Sequence, residues 1–310
     1  MWRLFAWCAA FAVLGFLGFL VASDPAFFRL IRGSSPAAPA SQPDTANGRA
    51  MFFAGGCASC HATEGQPDRL KLGGGHAMPT PFGTFHVPNL SPHPRDGIGN
   101  WNVDQFIVAM REGVSPEGRH YFPAFPFTSY QRMNAKDLAD LFAFIRTLAP
   151  VEGRAKPHEI AFPFNIRRSL GGWKLLYLDG QPFRPDPMRS VAWNRGAYLV
   201  EGPGHCAECH SPRNPLGGIV QARRYGGGIE PDGKKTVPNI TPHADGIGPW
   251  SKGEHASFLK TGETPGFLTV GGSMGSVIKN MAELSDADRA AMAEYLMTLP
   301  PVAGKPVARR

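Results

Sequence analysis

The pattern Cys-Xaa-Xaa-Cys-His occurs twice, as Cys57-Ala58-Ser59-Cys60-His61 and as Cys206-Ala207-Glu208-Cys209-His210. No other feature limits the possible folds of this chain as strongly. Two thiols one helical turn apart can add to the two vinyl groups of a haem, and the adjacent histidine then meets the iron. A lone CxxC pair also suits a redox disulfide or half a zinc site. Two copies, each with its trailing histidine, set those readings aside. The fifth cysteine, Cys8, lies in an apolar N-terminal run, so none is left for a disulfide framework.

The motifs sit inside a longer repeat. Cys57 and Cys206 are 149 residues apart, as are Trp101 and Trp250. Val87-Pro88-Asn89-Leu90-Ser91-Pro92-His93 returns as Val237-Pro238-Asn239-Ile240-Thr241-Pro242-His243, and Asp96-Gly97-Ile98-Gly99 as Asp245-Gly246-Ile247-Gly248. Such self-similarity predicts two homologous lobes. Each opens with a short helical pattern, Gly48–Phe53 and Gly196–Val200. Each closes with a stronger helix that starts at a capping residue, Asn134 or Ser285, with an acid three residues on. Leu141, Phe142, Ile145 and Leu148 share a face of the first closing helix, and Met292, Ala293, Leu296 and Leu299 share one of the second. Gly73–Gly75 and Gly226–Gly228 recur without the strand and helix of a phosphate loop and read as tight turns.

The expected organisation is a membrane anchor or signal over 1–24, a linker over 25–43, a first domain over 44–150 and a connection over 151–192. A second domain over 193–302 and a tail over 303–310 complete it. Within the connection, Ile166–Leu178 reads as a helix interrupted at Gly171-Gly172. The Ser-, Pro- and Ala-rich stretch 33–46 reads as a flexible tether. The 37 Gly and 30 Pro predict loop-rich domains. A large apolar macrocycle in each lobe supplies the core that such a composition lacks.

Leu4–Ala22 carries no charge and as a helix extends about 28 Å, close to a bilayer core. Arg3 and the Val21-Ala22-Ser23 sequence also suit a cleaved signal peptide. Either reading exports the rest of the chain. The net charge of +7 comes without a lysine tract or nucleic-acid motif, so nucleic acid is not an expected partner.

The sixth iron ligand decides whether a haem only carries electrons or also binds substrate. Methionine before the closing helix nominates Met274 in the second lobe, with Met281 as its alternative. In the first lobe Met133 is the methionine just before the helix, and His120 or His86 could compete for the iron. Trp101 and Trp250 fill core space or reach a haem propionate.

With the two haem motifs, the Pro-Asn turns, the segment Phe122–Tyr130 and Gly271-Gly272-Ser273-Met274, the chain resembles the dihaem class I cytochrome c family. That family includes cytochrome subunits of membrane-bound alcohol, sorbitol and gluconate dehydrogenases and of molybdenum hydroxylases. The resemblance implies a mainly α fold of two tandem, loop-rich cytochrome c domains, each around a covalent haem c and preceded by an N-terminal transmembrane helix. It implies two haems held by Cys57, Cys60, Cys206 and Cys209, with His61 and Met133, and His210 and Met274, as axial pairs. Relatives of the alcohol dehydrogenase branch carry a methionine where this chain has Phe125, and a third CxxCH that is absent here. The implied role is electron transfer from a dehydrogenase catalytic subunit to an oxidase, a quinone or another cytochrome. The implied place is the bacterial inner membrane, with the haem domains in the periplasm. The competing enzyme reading is a dihaem peroxidase, which needs one open-site haem.

Overall fold

The computed structural model describes residues 1–230 and 232–304, so 305–310 of the expected tail lie outside the described residues. Thirteen α-helices run in chain order among them: α1 Trp2–Ala22, α2 Pro25–Arg32, α3 Thr45–Ala54, α4 Cys57–His61, α5 Val103–Glu112, α6 Phe127–Tyr130, α7 Ala135–Arg146, α8 Ser169–Tyr177, α9 Val191–Glu201, α10 Cys206–Cys209, α11 Lys252–Thr261, α12 Gly272–Met281 and α13 Asp286–Leu296. Strands are few and short. β1 Ala77–Thr80 and β2 Gly83–His86 form an antiparallel hairpin that β3 Glu159–Ile160 extends, and β4 Gly228–Ile229 pairs with β5 Thr236–Val237.

The repeat is written into the helix ends. Asn102 and Ser251 cap α5 and α11 through capping boxes with Gln105 and Glu254, and both helices stop at a left-handed glycine, Gly113 and Gly262. Asn134 and Ser285 cap the closing helices α7 and α13 by accepting from the Asp137 and Asp288 amides, as the sequence predicts. In each lobe the opening helix crosses the closing one at van der Waals distance. A Cβ on Gly48 would lie 2.0 Å from the Asp140 carbonyl oxygen, and one on Gly196 would lie 1.9 Å from that of Ala291. Only glycine permits that approach.

The two lobes share one apolar core. Met51, Phe52, Leu138, Leu141 and Ile145 join Leu199, Val200, Met292 and Leu296 in a continuous buried cluster. Each such side chain withdrawn from water stabilises the fold by about 1.5–3 kcal/mol. Leu148 and Leu299 lie beyond the last turns of α7 and α13 and still pack on this cluster.

Three segments differ from expectation. Residues 25–32 of the expected linker form α2, because Asp24 caps it and Pro25 presets its first turn. Residues 33–43 do not hang free. The Ser35 amide donates to Glu112 and the Ala38 amide to Asp104, while Arg29 pairs with Glu112 at 2.7 Å. The connection helix α8 is unbroken at Gly171-Gly172, since Gly171 is where Ser23 packs against its backbone.

The 21-residue helix α1 has a mean hydropathy of 2.4 in its most apolar window and no buried residue. It fits a membrane anchor or a signal sequence. Its C-terminal end is docked: Arg168 donates to the Leu20 carbonyl at 2.8 Å, and Ser23 is 2% exposed with its carbonyl 2.8 Å from His120 Nε2. These bonds satisfy carbonyls that the helix end leaves orphaned.

Candidate haem-attachment sites

Both CxxCH motifs form a single helical turn, α4 and α10, entered from a left-handed residue, Gly56 at φ 60° and His205 at φ 40°. The turn sets the two cysteines of each motif on neighbouring positions of one face. Each histidine is then fixed twice. Its carbonyl accepts from the triple-glycine run, Gly74 N on His61 O and Gly227 N on His210 O, both at 2.9 Å. Its Nδ1 lies 2.9 Å from Pro88 O in the first lobe and 2.8 Å from Pro238 O in the second. A carbonyl only accepts, so Nδ1 carries the proton and Nε2 keeps its lone pair for iron.

The Pro-Asn turns thus act through both residues. The proline carbonyl orients the histidine. The asparagine Oδ1 closes an Asx turn on the Ser91 or Thr241 amide at 2.8 Å, and its Nδ2 donates at 2.7 Å to Val151 O or Val302 O beyond the closing helix. The glycine runs are not the tight turns expected: residues 73–75 are irregular backbone and Gly228 begins β4. Their role here is to hold the motif in place.

The fit to a covalently held haem is supported by how the thiols and imidazoles are poised. Desolvation by burial is the main cause that pushes the Cys57 and Cys206 thiols up to about 12, with the second cysteine of each motif adding to the rise. Redox CxxC pairs need the opposite shift. No group of three His, Cys, Asp or Glu side chains among the described residues could hold a metal ion, which leaves a zinc site without ligands. Burial lowers the proton affinity of His61 and His210, against the opposing pull of the proline carbonyls, and so keeps the rings neutral for coordination.

Each motif is seated against the opposite lobe across the seam between them. Ser59, inside the first motif, accepts from Asn280 Nδ2 at 2.6 Å and donates to Ser276 O. Glu208, at the matching place in the second, accepts from Thr128 at 2.6 Å and Ser129 at 2.8 Å. Burial alone would raise the Glu208 carboxyl; Arg213 at 2.5 Å and the two hydroxyls outweigh it and hold the group below the usual carboxylate range. Gly55 O receives both Tyr130 OH at 3.2 Å and His205 Nε2 at 3.3 Å, whose rings meet edge to face. Cys209 is open to solvent on one side but crowded by protein. Desolvation raises its thiol, against the lowering pull of the Arg213 guanidinium.

The candidate sixth ligands fall in different surroundings. Met274 is half-buried in the first turn of α12, a helix rather than the expected loop. Met133 is 1% exposed, directly before the Asn134 cap, and its Cγ would stand 3.7 Å from a Cβ on Gly202 of the other lobe. Met281 is buried at the end of α12. His120 has both nitrogens engaged, Nε2 with Ser23 O and Nδ1 with Lys174 Nζ, and His86 Nε2 lies 2.8 Å from Glu159. Trp101 packs half-buried on the core, and Trp250 packs tilted against His255 and edge-on against Phe258.

Sequence reasoning missed the seam. Ser59 and Glu208 occupy the variable positions of CxxCH, and nothing in their spacing shows that they face Asn280, Thr128 and Ser129. The only available signal was that the second x position is polar in both motifs.

A pair of glycine-crossed helices around a CxxCH turn, with the histidine tied to a proline carbonyl, defines a c-type cytochrome domain. A family model described as cytochrome c matches residues 45–149. The chain is 45% identical over 287 residues to a protein of Cereibacter sphaeroides called "Diheme cytochrome c-type", covering 91% of each chain. It is 36% identical over 266 residues to the fructose dehydrogenase cytochrome subunit of Gluconobacter japonicus, covering 85% of this chain and 54% of the other. It is also 34% identical over 262 residues to the gluconate 2-dehydrogenase cytochrome c subunit of Pantoea cypripedii, covering 81% of this chain and 58% of that one. The chain thus spans little more than half the length of these two dehydrogenase subunits. The chain belongs to the cytochrome c family.

Proposed function

We propose that the chain is a dihaem electron carrier that takes electrons from a dehydrogenase catalytic subunit and delivers them to an oxidase, a quinone or another cytochrome. Membership of the cytochrome c family supports electron transfer in general. The relatives named as dehydrogenase cytochrome subunits support a catalytic partner. The observation that carries the reading is the seating of the two motifs against the opposite lobe, clasped through Ser59–Asn280 and Glu208–Thr128.

Each haem would supply reversible one-electron exchange at its iron. Cys57, Cys60 and His61 would hold one, and Cys206, Cys209 and His210 the other, with Met274 on the second iron. The protein's own work is to keep both histidines neutral and oriented through Pro88 and Pro238, and to keep the lobes from separating. Docking of the α1 terminus onto Arg168 and His120 supports retention of α1 as an inner-membrane anchor, with the lobes on the periplasmic side.

The test uses membranes carrying the full chain, challenged with dehydrogenase substrates such as alcohols, sugars, sugar acids and N-heteroaromatic acids, while the reduced c-type absorption is followed. One substrate class is expected to reduce the haems, and only when its catalytic subunit is present. Steady consumption of hydrogen peroxide by the purified chain, without reduction by any dehydrogenase, would overturn the reading in favour of a peroxidase.

A further inference from the structure

The two lobes can be superposed bond by bond on either side of the ligand segment. At its start, Tyr121 N donates to Gly113 O at 2.7 Å, and Val270 N to Gly262 O at 3.0 Å; each pair closes the same turn after a left-handed glycine cap. The isolated bridges Val114–His120 and Glu263–Thr269 repeat the match. Four residues beyond each bond stand Phe125 in the first lobe and Met274 in the second.

The match resumes at the far end of the segment. Met133 N donates to Tyr130 O at 2.9 Å and Leu284 N to Met281 O at 3.2 Å, one residue before the caps Asn134 and Ser285. An arginine from a different element in each lobe also reaches these carbonyls, Arg111 of α5 on Met133 O and Arg289 of α13 on Leu284 O, both at 2.5 Å. Met133 is therefore the counterpart of Leu284, a buried residue that no iron can use. Its place before the cap, with Leu138 fully buried four residues past it, is that of a hydrophobic staple. Its side chain points to Gly202 in the seam.

We infer that the sixth coordination position of the first-lobe haem has no methionine and faces the Phe125 ring instead, leaving it open to a small neutral ligand of the carbon monoxide or nitric oxide class. This inference rests on the reading of Met274 as the second-lobe ligand. Phe125 is half-buried among aromatic rings, with centroids 5.6 Å from Tyr121, 5.6 Å from Tyr130 and 6.4 Å from Phe127. Phe127 has no ligating atom, and Tyr130 OH is spent on Gly55 O. His120 and His86 are held elsewhere by Ser23, Lys174 and Glu159. A soft thioether on one iron and none on the other sets the second lobe at the higher potential. Electrons then run downhill from the first lobe to the second.

The experiment uses the full-length, haem-loaded chain in detergent, with intact mass confirming two haems. Wild-type protein is expected to bind one carbon monoxide per two haems when reduced, and to show one methionine-to-iron near-infrared band when oxidised. Met133→Leu is expected to leave both readouts unchanged. Phe125→Met is expected to add a second band and abolish carbon monoxide binding. Met274→Ala is expected to remove the wild-type band, and its failure to do so overturns the ligand assignment on which both readings depend. Two bands in the wild type, one of them lost in Met133→Leu while Met274→Ala removes the other, would overturn this inference alone.

Discussion

The first lobe and the second are built to one plan up to the ligand segment and differ sharply inside it. Capping boxes, left-handed glycine stops, the proline carbonyl on the histidine and the asparagine tie are matched almost bond for bond. Between Tyr121 and Asn134, however, the first lobe has Phe122-Pro123-Ala124-Phe125-Pro126-Phe127 and the four-residue α6. The second has glycines and the ten-residue α12. The parts that hold the motif histidine allow little variation, because one hydrogen bond fixes one tautomer. The parts that cover the other side of the pocket can change, and the aromatic cluster shows one way they have.

The first lobe differs in a second respect, in how the connection is anchored to it. Lys174 of α8 is fully buried against it and donates to Glu112 O, Gly113 O and His120 Nδ1 at 2.5–2.9 Å. Among the described residues no matching lysine is found against Gly262 in the second lobe, where Ile278 and Val270 are the nearest side chains.

The comparison can be broken most severely at the helix crossings. Gly48→Ala and Gly196→Ala each drive a methyl into a carbonyl at about 2 Å, at a cost near or above about 3 kcal/mol. If the lobes are equivalent as scaffolds, each variant loses the haem of its own lobe first, read as one haem per chain by intact mass. Loss of both haems from either variant would show a single folding unit instead.

Next in size is Lys174→Met, which leaves two carbonyls and His120 without a donor and is expected to cost about 2–4 kcal/mol. Its pH signature is specific. Burial is the leading cause that holds the Lys174 ammonium down to about 7. The unfolded chain therefore binds the extra proton between about pH 7 and the ordinary lysine range, so stability rises with pH across that window. His120, lowered to about 4 mainly by desolvation and then by Lys174, adds a rise between about pH 4 and 6.5. Denaturant titrations at pH 7 and pH 9 should show the upper rise in the wild type and its absence in Lys174→Met.

A smaller effect belongs to the seam. Glu208→Gln keeps the shape but drops the charge that Arg213, Thr128 and Ser129 serve, at about 1–2 kcal/mol. Ser59→Ala on the other side removes a neutral contact and should cost about 1 kcal/mol or less. Equal losses in the two variants would contradict the asymmetry of the clasp. The smallest change in stability is expected for Met274→Phe, which makes the second lobe imitate the first. Carbon monoxide binding should double.

Much of this was legible in the sequence because repetition exposes constraint. His61, Pro88, Asn89 and Asn134 each have a counterpart, and the structure gives each pair the same bond. The limits are equally physical. Residues 33–43 look like a tether because hydrogen bonds from a backbone amide to Glu112 or Asp104 leave no trace in composition. α8 looks broken at Gly171-Gly172 because glycine lowers helix propensity, while the packing of Ser23 that requires it comes from 148 residues away in the chain. Met133 stands directly before a helix cap, a place shared by ligands and staples alike. The seam was invisible, since contacts between lobes have no period in the sequence.

The central claim is that the two haems exchange electrons within one chain across the seam clasped by Ser59–Asn280 and Glu208–Thr128. The most direct test is rapid mixing of the oxidised protein with less than one equivalent of reductant, following the two haems by their distinct spectra. Redistribution of the electron towards the second lobe at a rate independent of protein concentration is the expected result. A rate proportional to protein concentration would mean that electrons pass only between chains, and would contradict the claim.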